Sequence, residues 1–314
     1  MSFVEEVQRR VYAKTLLYTP WLPTERMQVG DYGSVRRGRF NREGNVRQRG
    51  ITFEEDVATA SPARLGFSDR ASFNAKGVAK GRAASVAAGM EIALSGAGAF
   101  VYQLQDISSR RIADKDRFFR DLFLLILAGQ LRWDDEFLLI DEVREAGSAT
   151  LIVSETDSGK VVISGDVPLG PEGDAPLARA RANVSAKVES GSIFQVLGQT
   201  SVTPLYNPRR LVFEPPGGPG SPVSAAIAWI KEKLGGVAMR PEDVHVGRYV
   251  AEDELEAFQL TLGKRGMTVL MRVPTVAIDE FLALGGAEEA PDQVEAAPEY
   301  QQAHVARRAA AAGF

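Results

Sequence analysis

The sequence contains no cysteine, which excludes disulfides, thiolate catalysis, S-acylation and zinc or iron–sulfur sites built on thiolates. It has only two histidines, His245 and His304, so we expect neither a multi-histidine metal site nor a histidine-centred triad. The longest apolar run, residues 122–129, is far shorter than the ~18 residues of a spanning helix. Glu5 and Glu6 stand where a secretory signal would be basic and then apolar. We therefore expect a resting protein that is soluble and cytoplasmic.

Motifs for catalysis or cofactor binding are also missing. The sequence has no P-loop, dinucleotide fingerprint, HExxH pair or nucleophile elbow. An acidic group could hold a metal or a general acid, but a solvated loop before a strand explains it better. Its members are Asp134, Asp135, Glu136, Asp141, Glu142 and Glu145. We expect no enzyme activity, no cofactor and no metal.

The length of 314 residues favours two domains over one. Pro and Gly fill the segment 214–222, EPPGGPGSP, which we expect neither to pair as a strand nor to continue a helix. We predict an N-terminal domain of residues 1–213, a linker at 214–222 and a small C-terminal domain at 223–286. Residues 287–314 are Ala-rich and polar, which predicts a flexible tail.

The apolar pattern predicts an α+β fold: a twisted, mainly antiparallel sheet with amphipathic hairpins and surrounding helices, plus a small C-terminal α/β element. Val7 and Val11 recur at helical spacing and predict an amphipathic first helix over residues 3–14. Asp114 is a suitable N-cap for a helix that runs to about Leu127. That helix is apolar nearly all round, so it should be buried on more than one side.

Turn signals predict two short hairpins before the linker. An Asp-Ser-Gly turn should join strands at 149–154 and 161–164, and a Ser-Gly turn should join strands at 182–189 and 193–202. After the linker, residues 224–234 read as a helix.

Two segments, 73–83 and 90–104, alternate between apolar and other residues with period two. Strands of ~9–11 residues with one apolar face are what a membrane β-barrel needs, whereas a half-buried soluble sheet is the alternative. Ala, Gly and Ser are dense here, so the strands should bury little surface and be able to repack. The candidate membrane-inserting residues are Phe73, Met90, Ile92, Leu94, Phe100 and Tyr102.

Charge is unevenly distributed along the chain. Residues 1–130 carry a net charge of +6 and residues 211–314 a net charge of −6. A basic cluster would attract anionic lipid at about 1 kcal/mol per residue near the surface, and nucleic acid by the same Coulomb attraction. Few stacking aromatics lie nearby, so nucleic acid ranks behind lipid, and a solvated basic edge explains the cluster equally well. The candidate lipid-binding residues are Arg36, Arg37, Arg39, Arg42, Arg47 and Arg49, with Arg9, Arg10 and Lys14 of the first helix.

The order of these features resembles the gasdermins, especially the bacterial ones. Four features carry the resemblance: the amphipathic helix 3–14, the YTPWLP stretch 18–23 with the basic segment after it, the Gly/Ala-rich strands 73–104, and the β-rich run that ends at 203–206. It rests on architecture more than on motifs and covers roughly residues 1–213.

The resemblance implies an autoinhibited protein whose N-terminal domain is released by an activating protease. That domain would bind an anionic lipid membrane and form a homo-oligomeric β-barrel pore at the cell membrane, which kills the cell in bacterial defence. Cleavage would fall at Pro215, Gly217 or Gly220. This chain departs from many bacterial members in lacking an acylated Cys and in having about 92 residues after the linker instead of a short inhibitory peptide.

Two other functions fit the sequence. The first is a nucleic-acid-binding module that uses the segment from Arg36 to Arg49. The second is a non-catalytic structural or assembly subunit whose weakly held strands pair with neighbouring subunits.

Overall fold

The computed structural model describes residues 3–20, 26–36, 38–59, 64–76, 89–164, 185–190, 193–198, 202–214, 223–235, 239–250, 256–263 and 266–284. Within these ranges the helices are α1 (Phe3–Thr15), α2 (Lys115–Leu127), α3 (Val223–Leu234) and α4 (Ile278–Ala283). The strands are β1 (Asp31–Arg36), β2 (Arg39–Asn45), β3 (Glu55–Thr59), β4 (Arg64–Asp69), β5 (Ala71–Lys76), β6 (Gly89–Ser95), β7 (Phe100–Gln105), β8 (Ser108–Ile112), β9 (Leu138–Ala146), β10 (Ser148–Ser154), β11 (Ser158–Ser164), β12 (Ser185–Ser190), β13 (Ile193–Gly198), β14 (Val202–Arg210), β15 (Val212–Glu214), β16 (Val244–Val250), β17 (Glu256–Leu262) and β18 (Met267–Arg272).

The fold is α+β and its sheets are mainly antiparallel, which confirms the predicted fold class. One six-stranded sheet, here the body sheet, has the order β2-β1-β9-β8-β3, with β14 paired to β9. The other three sheets have four strands each.

Helix α2 packs in the core that the body sheet shares with the C-terminal part of the chain. As predicted, Asp114 caps it, and the side chain accepts a hydrogen bond from the Arg117 backbone N–H at 3.0 Å. Phe118, Phe119 and Phe123 of α2 are fully buried, which confirms that the helix is covered on more than one side.

Two long hairpins form the remaining N-terminal sheets. Four chain segments, 64–76, 89–105, 148–164 and 185–198, each contribute one strand to a proximal sheet (β13-β10-β7-β4) and one to a distal sheet (β12-β11-β6-β5). The first two segments form one hairpin and the last two form the other. Residues 77–83 of the predicted strand 73–83 lie outside the described residues.

The predicted uninterrupted strand from Met90 to Leu104 is wrong. The chain bends between β6 and β7, where Gly96 has a φ of 107° and Gly98 a φ of 76°. Glycine adopts these left-handed conformations without a Cβ penalty, so the two glycines end one strand and start the next. In the sequence they fell on the alternating positions and looked like small members of the apolar face.

The two short hairpins predicted before the linker are also wrong. β10 pairs with β7 and β13, whereas β11 pairs with β6 and β12, so residues 149–154 and 161–164 follow one another along the sheets. β12 and β13 likewise belong to different sheets. A polar Ser-Gly or Asp-Ser-Gly signal marks a local break, and only long-range pairing decides whether that break reverses the chain.

The C-terminal unit, defined here as β15 to β18 with α3 and α4, packs on α2. Its sheet has the order β15-β18-β17-β16, and Glu214 pairs with Leu270. The first residue of the predicted linker is therefore the end of a strand, and the expectation that the segment cannot pair is wrong at that residue. The ring centroids of Phe119 and Phe258 lie 4.6 Å apart, so the C-terminal unit shares one apolar core with α2. The predicted tail 287–314 lies outside the described residues.

Candidate membrane-binding surface

Strands β1 and β2 form a tight hairpin at the edge of the body sheet, and this hairpin carries part of the predicted basic cluster. Arg36 ends β1, Arg39 begins β2, and the two are opposite one another in the strand register. Both side chains are exposed, as is that of Arg42 further along β2. Arg37 lies outside the described residues. The hairpin therefore presents three described arginines at one sheet edge.

The last two arginines of the cluster are held against the protein body. Arg47 Nη2 lies 2.7 Å from Glu55 Oε1, and its guanidinium lies 3.9 Å from the ring centroid of Phe53. Arg49 Nε donates a hydrogen bond to the Tyr32 hydroxyl at 3.3 Å. These contacts use part of the charge of both residues within the fold.

A buried carboxylate anchors the basic hairpin. Asp31 is fully buried and accepts hydrogen bonds from Asn45 Nδ2 at 2.8 Å and from the Gln28 backbone N–H at 2.9 Å. Arg42 Nη1 lies 3.8 Å from Asp31 Oδ1. Burial raises the pKa of Asp31 because desolvation disfavours the charged form, and the hydrogen bonds and Arg42 oppose that shift. Arg42 is thus partly engaged by the base of its own hairpin.

The basic residues of α1 have different surroundings from one another. Arg9 forms an ion pair with Asp279 of α4. Arg10 Nη1 lies 2.7 Å from Asp69 Oδ1 at the end of β4. Lys14 is exposed at the last turn of the helix. Two of the three predicted lipid-binding residues on α1 are therefore engaged by carboxylates in the resting fold.

Helix α1, the turn between β1 and β2, and helix α4 meet at one place. Gln8 Nε2 donates hydrogen bonds to the backbone oxygens of Gly38 in the turn, at 2.8 Å, and of Thr19, at 3.3 Å. A methyl group added to Gly38 would lie 3.7 Å from Leu282 Cδ2 of α4. The structure thus brings the basic helix and the basic hairpin beside a helix that comes more than 230 residues later in the sequence.

An aromatic anchor holds α4 in this position. Phe281 is fully buried, and its ring centroid lies 4.4 Å from that of Tyr18 and 6.5 Å from that of Tyr206. The Tyr18 hydroxyl donates a hydrogen bond to the backbone oxygen of Val276, and burial raises the pKa of Tyr18, which keeps the donor proton in place. The segment that ends in α4 is therefore bound to the N-terminal part by both packing and hydrogen bonding.

The first turn of α4 is acidic and lies against basic groups. Asp279 pairs with Arg9 of α1, and Glu280 pairs with Arg210 at the end of β14. Sequence reasoning missed these contacts and the role of Phe281. The signal that pointed toward them was the opposite net charge of the two ends of the chain.

Neutralising the two opposed hairpin arginines, as Arg36→Gln with Arg39→Gln, should weaken binding of the activated protein to anionic vesicles by about 30-fold. The estimate follows from about 1 kcal/mol per basic residue at an anionic surface. Co-sedimentation with phosphatidylserine vesicles measures the effect. Arg47→Gln is the matched control and should have a smaller effect, because Arg47 pairs with Glu55. Equal losses of vesicle binding in the Arg47→Gln and Arg36→Gln single variants would contradict this placement of the site.

In the distal sheet, one row of paired residues is apolar in all four strands and the next row is mostly polar. One row across its four strands is Phe73, Ile92, Val161 and Val188, and the next row, on the opposite face, is Asn74, Glu91, Val162 and Lys187. A strand places successive residues on opposite faces, so the alternation seen in single strands extends over the whole four-stranded sheet.

Four of the six predicted membrane-inserting residues are buried in the resting fold: Ile92, Leu94, Phe100 and Tyr102. The backbones of Phe73 and Met90 lie in β5 and β6, and their side chains lie outside the described part of the structure. Val7 and Val11 of α1 belong to the same buried cluster as Phe100 and Tyr102. Helix α1 therefore covers the apolar face of the proximal sheet.

The predicted cleavage residues Pro215, Gly217 and Gly220 lie outside the described residues. The segment that contains them connects Glu214, the last residue of β15, to Val223, the first residue of α3. A cut in this segment would divide the chain after the strand β15 that belongs to the C-terminal sheet.

Two members of the acidic group found in the sequence make structural contacts. Asp135 accepts hydrogen bonds from the backbone N–H and the hydroxyl of Ser224 at the start of α3. Asp141 is buried, and its Oδ2 lies 3.3 Å from Lys115 Nζ and 3.1 Å from Arg209 Nε. In the described part of the chain, no group of three or more His, Asp or Glu side chains is placed to hold a metal ion.

Among the helices that the structure describes, none is both long and apolar enough to cross a bilayer. Comparisons of the sequence with protein-family models and with curated proteins give no match.

Proposed function

We propose that this chain is an autoinhibited pore-forming protein. Cleavage within residues 215–222 separates the N-terminal part, which keeps β15, from α3 and the rest of the C-terminal unit. The released part binds anionic membranes through Arg36 and Arg39, oligomerises and inserts its long hairpins as a β-barrel pore, which causes cell death. The resting protein is cytoplasmic and the activated form is at the cell membrane. No step of this function requires a catalytic residue, a cofactor or a metal.

The pair of long amphipathic hairpins is the observation that carries the proposal. Their four segments are 13 to 17 residues long, and a tilted membrane strand needs ~9–11. One face of the distal sheet is apolar across all four strands, and the other carries polar and charged residues such as Glu91 and Lys160, whose Oε1 and Nζ lie 2.7 Å apart. A lipid-facing apolar side and a water-facing polar side are what a barrel wall requires.

The strand directions favour a ring of identical subunits. In the distal sheet three antiparallel pairings separate the outer strands β5 and β12, so these two strands run in opposite directions. β12 of one copy therefore runs antiparallel to β5 of the next copy in a head-to-tail arrangement. A repeated heterologous contact of this kind closes into a ring when the rotation between copies divides a full turn.

The position of α4 supports autoinhibition. It pairs with Arg9, lies beside the turn at Gly38 and is anchored by the buried ring of Phe281. While α4 is docked, α1 cannot leave the proximal sheet without breaking these contacts. Since α1 covers the apolar residues of β7, docking of α4 also keeps those residues away from a bilayer.

The nucleic-acid alternative has less support, because two aromatic residues near the basic cluster, Tyr32 and Phe40, are buried. Tyr32 is 1% exposed and Phe40 is 6% exposed, so neither ring is available to stack on a base. An assembly subunit that pairs through β5 and β12 would use the same sheet edges as the pore. Only dye release from vesicles distinguishes these two functions.

Dye release from anionic vesicles tests the proposal. A recognition site for a specific protease is inserted within residues 215–222 of the full chain, and release is compared before and after cleavage. We expect release only after cleavage. A cleaved chain that remains folded by circular dichroism, sediments with vesicles and releases no dye would overturn the pore proposal.

A further inference from the structure

We propose that Arg10 is a latch residue for the hairpins: its ion pair with Asp69 holds the bend between the proximal and distal sheets. This inference reassigns a residue that the sequence placed among the lipid-binding groups. Its effect on pore formation rests on the proposed function above, whereas its effect on the bend does not.

The contacts form a chain from α1 to the bend. Arg10 lies within hydrogen-bonding distance of Glu6 on its own helix, at 2.6 Å, and of Asp69, at 2.7 Å. The other oxygen of Asp69 accepts a hydrogen bond from Arg70 Nε at 3.0 Å. Arg70 Nη2 in turn donates to the backbone oxygen of Ala97 at 3.0 Å. The Asp69 carboxylate thus links α1 to Arg70, and Arg70 contacts the loop between β6 and β7.

Arg70 is the residue at which β4 ends and β5 begins. Its φ of 51° lies in the left-handed region, which is costly for a residue with a Cβ. Its backbone oxygen accepts hydrogen bonds from the N–H of Ser95 at 2.9 Å and from the Ser95 hydroxyl at 3.1 Å. A Cβ added to Gly96 would lie 2.8 Å from Arg70 Nη1, so the loop wraps closely around the guanidinium. The bend is a strained conformation that surrounding contacts hold in place.

The central strands are built so that the bend can open without loss of register. Ser95 pairs with Ser158 below the bend and Phe100 pairs with Val153 above it, with four residues between the pairs on each strand. The equal gaps keep the two strands in register, and Ile92 and Phe100 are eight positions apart, so a straight strand would place both on the same face. Straightening the bend would therefore join the apolar residues of β6 and β7 into one face.

These contacts make α1 the element that controls the bend. When α1 leaves the proximal sheet, Arg10 leaves Asp69, and the link between the helix and the Arg70 turn is lost. The ion pair is partly exposed, with 39% of the Arg10 side chain and 28% of the Asp69 side chain accessible. Such pairs contribute modestly, so breaking it should change the opening of the bend by about two- to fivefold.

Hydrogen–deuterium exchange in the uncleaved full-length chain tests the latch without any membrane. The readout is the peptide that contains residues 95–99, where the N–H groups of Ser95, Gly96 and Gly98 donate hydrogen bonds across the bend. Asp69→Asn and Arg10→Gln should each speed exchange there by about two- to fivefold, and the double variant should match the single variants. The matched control is Asp56→Asn, which removes an exposed ion pair with Arg111 in the body sheet. Exchange in the peptide 95–99 should stay unchanged in this variant. Unchanged exchange in both single variants, or additive effects in the double variant, would overturn the latch.

Dye release by the cleaved chain gives the second readout. The latch predicts that Arg10→Gln and Asp69→Asn both speed release. If Arg10 acts by binding lipid, Arg10→Gln slows release and Asp69→Asn leaves it unchanged, and that result would overturn the assignment. If no cleaved chain releases dye, the pore proposal fails, and the exchange experiment still decides whether Arg10 and Asp69 hold the bend.

Discussion

Replacing Phe281 with alanine is expected to let the uncleaved chain bind anionic vesicles and release their contents. Truncation of a fully buried Phe typically costs ~3–5 kcal/mol. Because this ring packs on Tyr18 and anchors α4 to α1, most of that loss falls on the docked state of α4. The undocked fraction should then rise by a factor on the order of 10² to 10³. Vesicle co-sedimentation and dye release, both without protease, measure the result.

The control for general destabilisation is Phe118→Ala. This ring on α2 is also buried and packs against Phe53 at 5.2 Å, away from α4. The Phe118→Ala variant should lower the midpoint of thermal unfolding about as much as Phe281→Ala, but the uncleaved chain should not bind vesicles. Asp279→Asn removes only an exposed ion-pair partner of Arg9 and should give a weaker effect than Phe281→Ala. Phe281→Ala could lower the midpoint of thermal unfolding as Phe118→Ala does, while the uncleaved chain neither binds vesicles nor releases dye. In that case α4 is not the inhibitory element.

Placing an arginine at Ala75 is expected to abolish dye release by the cleaved chain. The register pairs Ala75 with Met90, on the same face of the distal sheet as Ile92. In a barrel this face meets lipid, where a basic side chain near the bilayer midplane costs ~2–4 kcal/mol. Every subunit of the oligomer carries the substitution, so the cost multiplies across the ring. Dye release by the cleaved variant, normalised to vesicle-bound protein, measures the effect.

Asn74→Arg is the matched control for this prediction. Asn74 is the neighbouring residue on the opposite face and pairs with Glu91, so the same added charge would meet water in the barrel. It should leave dye release close to that of the parent chain. Ile92 and Leu94 are less suitable positions, because both are buried in the resting fold and a charge there would destabilise the protein before it reached a membrane. Equal activity of the Ala75→Arg and Asn74→Arg variants would contradict a lipid-facing role for the apolar face.

Local signals in the sequence were sufficient to predict the helices of the N-terminal part. The spacing of Val7 and Val11 predicted α1, and Asp114 before an apolar run predicted α2. These features depend on residues three or four positions apart and on one cap, so they are readable without tertiary information. The alternation around Ile92 and Leu94 likewise predicted a strand with one buried face, and both residues are buried.

Long-range pairing was the part that the sequence could not supply. Gly96 and Gly98 fit the alternation of a single strand, yet their left-handed conformations divide it into β6 and β7. The turn signals before β11 and β13 mark bends within longer hairpins, because each neighbouring strand comes from a distant part of the chain. The contact between Phe281 and Tyr18 joins residues 263 positions apart, and no local pattern predicts it.

Planar-bilayer recording of the cleaved full-length chain tests the central claim most directly, because a pore and a membrane-disrupting aggregate differ in the form of their current. The chain with a protease site within residues 215–222 is added to an anionic bilayer before and after cleavage. We predict no current before cleavage. After cleavage we predict discrete conductance steps of similar size that persist at constant voltage. Cleaved, folded and bilayer-bound protein that gives no current, or only drifting current without steps, would contradict the account.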